Sequence, residues 1–95
     1  MHWVRDPTKA AINRAKHGLS LDIAVLVFDD PLHASKHDPR PDGDRWQTIG
    51  LVGSVLLLVV HTWPEVKSDG ESVGRIISAR KATAHERKTY EEGRF

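Results

Sequence analysis

The run Val55-Leu-Leu-Leu-Val-Val60 constrains this chain more than any other segment. A strand of six consecutive apolar residues has no polar face, so it must be covered on both sides. The run is far short of the ~20 residues needed to cross a bilayer, and no membrane association is expected. It predicts the central strand of a sheet with packed layers above and below. Its neighbours agree: Arg45 to Val52 and Ser54 to Thr62 read as two strands joined by a tight hairpin at Gly53. Val73 to Arg80 reads as the next strand.

Helical signals lie on either side of these strands. Asp6-Pro7 opens a helix, with aspartate as N-cap and proline at the first position, where its missing amide costs nothing. That helix is expected to end at His17, before Gly18. Lys16 and His17 suit the negative end of its dipole. Ser20 caps a second helix carrying Ile23, Ala24, Val27 and Phe28 at helical spacing, stopped by Asp29-Asp30-Pro31. Trp3-Val4 and Leu32 to His37 read as edge strands. Asp38 to Asp44 reads as a polar turn and Pro64 to Ser72 as a charged loop. Thr83-Ala-His-Glu86 has the capping-box pattern and opens a final helix running to about Glu92. The expected fold is a single α+β domain over residues 1–95: two N-terminal helices, a twisted, mainly antiparallel sheet and a C-terminal helix.

Ninety-five residues allow one hydrophobic core, and the absence of cysteine rules out disulfides and thiolate metal sites. That suits a reducing cytoplasm, and the N-terminus has no apolar stretch that would mark a signal peptide. The net charge of +1 is unevenly distributed. Residues 1–18 hold four basic side chains against one acidic, residues 19–74 four against nine, and residues 75–95 six against three. Two basic ends brought together by folding would attract phosphate; kept apart, they are an ordinary solvated surface.

Few metal or nucleophile motifs are available. There is no Gly-rich phosphate loop and no nucleophile elbow, and His85-Glu86 lacks the second histidine of a zinc-protease helix. His33 and His37 on one strand would lie roughly 13 Å apart, so no metal or other cofactor is expected. What remains is the basic segment from Arg75 to Tyr90. Arg75, Arg80 and Lys81 precede the amide-rich start of the last helix, and arginine's planar fork suits phosphate. Strict alternation puts Arg75 and Arg80 on opposite faces of their strand, unless Arg80 lies past the pleat, whereas Ser78 and Arg80 share a face. A structural alternative pairs the arginines with acids such as Glu86. His61 is either a proton-transfer group or a hydrogen-bonded residue at a strand end. Tyr90 and Trp46 can stack on bases, although core packing is the plainer role for Trp46.

Trp3-x-x-Asp6-Pro7-x-Lys9, Asn13, Lys16-His17-Gly18 and Ser20 together resemble the N-terminal signature of the BrnT toxins. So do Val27-Phe28-Asp29-Asp30-Pro31, Arg45-Trp46 with Ile49-Gly50, and Leu58-Val59-Val60-His61-Thr62. The closest stretch runs from Arg75 through Thr83 and Glu86-Arg87 to Tyr90-Glu91. The resemblance implies a RelE-like fold and a type II toxin that cleaves RNA and arrests growth. It also implies a BrnA-like ribbon–helix–helix antitoxin, assembled as two toxins with two antitoxins, through which alone operator DNA would be contacted. On that footing Arg75 and Arg80 would carry the charge of a metal-independent cleavage, with His61, and Tyr90 behind it, moving protons. Arg45, Trp46, Ser78 and Lys81 would hold the RNA. The alternative is a non-catalytic module that only binds antitoxin in operon autoregulation. Three positions depart from the family pattern: Gly74 where a β-branched residue is usual, which is expected to weaken the strand; Leu21 where an aromatic is usual; and the longer loop after Trp63.

Overall fold

A computed structural model describes residues 2–40, 44–63 and 65–95. The elements are β1 (His2–Arg5), α1 (Pro7–His17), α2 (Leu21–Ala24) continuing as a 3-10 segment (Val25–Asp29), β2 (Ala34–His37), β3 (Arg45–Val52), β4 (Val55–Thr62), β5 (Glu65–Val66), β6 (Ser72–Lys81) and α3 (Ala84–Glu91). The sheet order is β1-β6-β4-β3-β2, with β5 also pairing β6. Only the β1–β6 pair is parallel.

The apolar run occupies β4, between β6 and β3, and Leu56 to Val60 are buried. Leu57 and Val59 pack with Leu21, Ala24, Val27, Ile76 and Ala79 under α2. Leu56 and Leu58 face the other way, with Ile49, against Ala82, Tyr90 and Phe95. Each leucine so buried contributes about 1.5–3 kcal/mol relative to exposure. The two-sided covering inferred from the run is thus made by α2 on one face and α3 on the other.

The caps form at the expected residues. Asp6 Oδ1 accepts the Thr8 amide at 2.8 Å, Ser20 Oγ accepts that of Asp22 at 3.1 Å, and Gly18 closes α1 at φ 69°. Thr83 and Glu86 complete a reciprocal capping box on α3. The second helix departs from expectation, because one α-turn gives way to 3-10 coil. That coil advances about 2.0 Å per residue rather than about 1.5 Å. It brings Val27 against Gly50, where an added Cβ would stand 2.7 Å from the Val27 carbonyl oxygen.

Two further differences have local causes. The edge strand expected from Leu32 begins only at Ala34, because the amides of Leu32 and His33 are already bound by Asp30. The charged loop after β4 contains β5, which continues alongside β6. The polar turn expected from Asp38 to Asp44 lies partly outside the described residues. No helix among those described is long and apolar enough to cross a membrane.

Strand β6 is irregular at one point. Val60 pairs with Ser78 and His61 with Ile76, leaving Ile77 as an extra residue in a β-bulge. Strand β1 accompanies β6 only as far as Ile76. Beyond it, the Asn13 carboxamide of α1 accepts the Ala79 amide at 3.0 Å and donates to the Leu19 carbonyl at 3.0 Å.

Gly74 does not leave a gap in β6. It pairs with Trp3, and the position its Cβ would take lies 2.5 Å from that indole. The ring in turn stacks on Phe28 at 4.8 Å between centroids. Gly74→Val, which restores the residue type usual in the resembling sequences, should therefore destabilise the fold, by about 1–3 kcal/mol from overpacking. Urea unfolding measures this, and in a Trp3→Ala background the added cost should shrink.

Candidate functional site

The α2-bearing face of the sheet is closed, and α3 covers only one end of the other. The uncovered remainder is an open groove of ≈ 400 Å³. Its wall is a helical stripe on α1, Lys9, Ile12, Asn13, Lys16 and His17, at the i, i+3, i+4, i+7, i+8 spacing of a single helix face. Its floor comes from three strands: Arg45 and Gln47 of β3, Leu58 and Val60 of β4, and Ile77, Ser78 and Arg80 of β6. Arg40 closes one side. Among the described residues five Lys and Arg side chains line it and no carboxylate does.

The bulge determines which side chains reach this surface. Ile77 and Ser78 are consecutive, yet both line the groove. Arg75, five residues before Arg80, consequently lies on the same side, in an adjoining hollow that shares Lys9, Arg45 and Ile77 with the main groove. The two faces expected from strict alternation become one, and Arg80 lies within the strand rather than past its end.

Arg80 is held rigidly. Its guanidinium donates to both Glu86 oxygens, at 2.8 and 2.9 Å, while Glu86 Oε1 also accepts the Thr83 amide. The Arg80 hydrogen bonds, against some burial, push the Glu86 carboxyl down to about 2, and the same pair raises the Arg80 pKa. Arg40 is anchored similarly. Asp38, 1% exposed, accepts the Arg40 amide at 2.9 Å, Arg40 Nε at 3.2 Å and Gln47 Nε2 at 3.2 Å. Burial alone would raise the Asp38 pKa, but these donors outweigh it and leave the carboxyl below its ordinary range. Lys9, Lys16 and Arg75 have no ion pair among the described residues.

Other residues singled out in the sequence lie elsewhere. His61 is fully buried on the α2 side, with its ring 5.2 Å from Phe28 and 5.4 Å from Trp3. The Thr62 carbonyl at 2.8 Å can only accept, so His61 Nδ1 carries the proton. In the neutral ring Nε2 then accepts the Thr48 hydroxyl at 2.6 Å. Burial lowers the pKa of this imidazole, which the Thr62 hydrogen bond only partly offsets. Tyr90 donates to Asp30 Oδ2 at 2.5 Å, and burial followed by that bond raises its pKa to about 12. Neither ring lines the groove. Trp46 lies on the His61 side, between His37 and Trp63. Lys81 pairs opposite Leu57 and also points away from the groove. The structure therefore gathers Arg45, Arg75, Ser78 and Arg80, and separates them from His61, Tyr90, Trp46 and Lys81.

Several groove residues were not singled out in the sequence as site candidates. The α1 stripe carried a usable signal, since a core-facing helix would show apolar residues at those spacings. Arg40 and its buried partner Asp38 carried none, because a polar turn does not reveal which of its charges turns inward.

A family model described as the ribonuclease toxin, BrnT, of type II toxin–antitoxin systems matches residues 5–86. A search of curated proteins gives no match.

The buried state of His61 has a pH consequence. Its folded pKa lies below the ordinary 6.5, so acidification protonates the unfolded chain first. The stability it contributes is complete above about pH 6.5 and is lost as the pH falls below that value. Thermal unfolding between pH 8 and 5 should show this decline, and His61→Gln should flatten it while lowering stability throughout.

Proposed function

The chain belongs to the BrnT family of ribonuclease toxins of type II toxin–antitoxin systems, and from that premise we propose that its basic groove binds single-stranded RNA and cleaves it without a metal. The observation that carries this reading is the grouping of Arg45, Arg80, Lys9, Lys16 and Arg40 around a groove that no carboxylate lines among the described residues, with Arg75 in the adjoining hollow. Such a surface attracts a phosphate backbone through charge and through the paired donors of arginine.

Metal-free cleavage uses the RNA itself. The 2′-hydroxyl oxygen attacks the adjacent phosphorus while a base removes its proton. The P–O5′ bond then breaks as an acid protonates the departing oxygen, leaving a 2′,3′-cyclic phosphate and a 5′-hydroxyl. The extra negative charge on the phosphorane requires fixed donors. Arg80, oriented by Glu86, and Arg75 are assigned that role. Arg45 and Ser78 orient the strand. His17, at the groove wall, is assigned to proton transfer, because one imidazole nitrogen can accept a proton while the other donates one. His61 and Tyr90 act indirectly, His61 by ordering the end of β4 and Tyr90 by tying α3 to Asp30. A BrnA-like antitoxin neutralises the toxin by covering the groove.

One observation favours a second reading, a module that binds antitoxin without cleaving. Arg80 and Arg40 already have carboxylate partners, Glu86 and Asp38, which reduces their pull on phosphate. Expression of the chain alone separates the two readings: a nuclease arrests growth, whereas the module leaves it unchanged.

With purified protein and an end-labelled transcript, cleavage should persist in excess EDTA and leave cyclic phosphate ends. Arg75→Ala and Arg80→Ala should each slow it by about 10²-fold or more, and His17→Ala by about 10²–10⁴-fold. Cleavage abolished by EDTA would overturn the metal-free mechanism.

A further inference from the structure

The groove and the hollow beside it differ in chemistry. The groove is lined by cations with no carboxylate among the described residues, whereas the hollow mixes Arg75, Arg45 and Lys9 with the carboxylates of Asp44 and Glu65. Trp63 lines the same hollow. A pure phosphate site would not carry two acceptor-only groups, because they repel the anion. A nucleobase fits this mixture better: its π-face stacks on an aromatic ring, and its amino groups donate to carboxylates.

Trp63 is built as such a platform. It is 50% exposed although it is a large aromatic, and it does not rely on solvent for its orientation. Its ring rests on Trp46, 4.9 Å away between centroids, and lies 6.1 Å from His61. Trp46 is held from its other side by His37 at 5.1 Å, and His61 by Thr48 and Thr62. The aromatic row His37, Trp46 and Trp63 therefore runs to the end of β4, where its half-exposed last member is also a lining residue of the hollow. Base–aromatic stacking gains most from a ring that is already immobilised, since little entropy remains to be lost on binding.

We propose that Trp63 stacks on the nucleobase next to the scissile phosphate, and that the hollow between Trp63 and Arg75 is a base subsite favouring amino-bearing bases through Asp44 and Glu65. This rests on the groove being the RNA site. Arg75 then lies at the junction, on the phosphate that joins the bound base to the strand in the groove.

The test uses the whole chain and short 2′-O-methyl RNA octamers, which lack the attacking hydroxyl and so report binding alone. Trp63→Ala should weaken binding by about tenfold, within the usual range for loss of one stacked base, and Trp63→Phe should recover most of it. Placing one abasic site at successive positions of the octamer should weaken wild-type binding at one position and leave Trp63→Ala unaffected there. A general loosening of the fold would not produce that pairing. Replacing the base at that position by uracil, which has no amino group, should weaken wild-type binding more than cytosine does. The proposal is overturned if Trp63→Ala binds as tightly as wild type, or if no abasic position discriminates the two proteins. It is also overturned if Trp63→Ala keeps RNA affinity but loses a co-expressed antitoxin, which would make the indole a protein-docking residue. Failure of the wild-type chain to bind any octamer would remove the RNA reading of the groove as well, so the two failures are distinguishable.

Discussion

The Asn13 carboxamide holds the site in place. Strand β1 stops pairing with β6 at Ile76, and the strand would then present open backbone groups to an edge with no neighbour. Asn13 fills that role from a helix, accepting the Ala79 amide while its amino group binds Leu19. Buried at 3% exposure, the amide has both ends satisfied, as a polar group in that position must. Because it fixes α1 against the sheet edge, it also sets the position of Lys9, Lys16 and His17, which share its helical face. The groove exists because a helix, rather than a further strand, completes this edge.

A second constraint acts two residues earlier in β6. The extra residue at Ile77 changes the phase of alternation, so that Arg75, Ser78 and Arg80 share one surface while Ile76 and Ala79 stay in the core under α2. Without the bulge, one arginine would point into apolar packing, where an unpaired guanidinium is prohibitively costly. The bulge thus separates the two faces by chemistry. One is a closed layer of aliphatic and aromatic side chains with neutral His61 inside it, and the other carries charge. Glu86 links the charged face to the C-terminal helix, since one carboxylate both caps α3 and grips Arg80.

Much of the architecture was legible in the sequence. The apolar run of β4, the proline, glycine and capping residues of α1, the hairpin glycine and the Thr83–Glu86 box are local signals, and local backbone physics dictates their outcome. The α1 stripe was legible in principle. The site was only partly legible, because burial depends on partners distant in sequence. His61 and Tyr90 have chemistry suited to a nuclease, yet one is enclosed by Trp3, Phe28 and Thr48 and the other is tied to Asp30. Nothing near them in the chain announces those contacts.

The basic segment from Arg75 to Tyr90 shows the division clearly. By itself the sequence determined an α+β chain with a two-faced central strand, a capped final helix and arginines suited to phosphate, because these follow from side-chain type and short-range spacing. The tertiary structure decided that Arg75 and Arg80 lie on one side, that Arg45 and the α1 lysines join them, and that Trp63 is more exposed than Trp46. Those outcomes depend on a strand register and a helix-to-edge hydrogen bond between residues 66 positions apart. Register and edge contacts are set by the packing of the whole core, which no local pattern encodes.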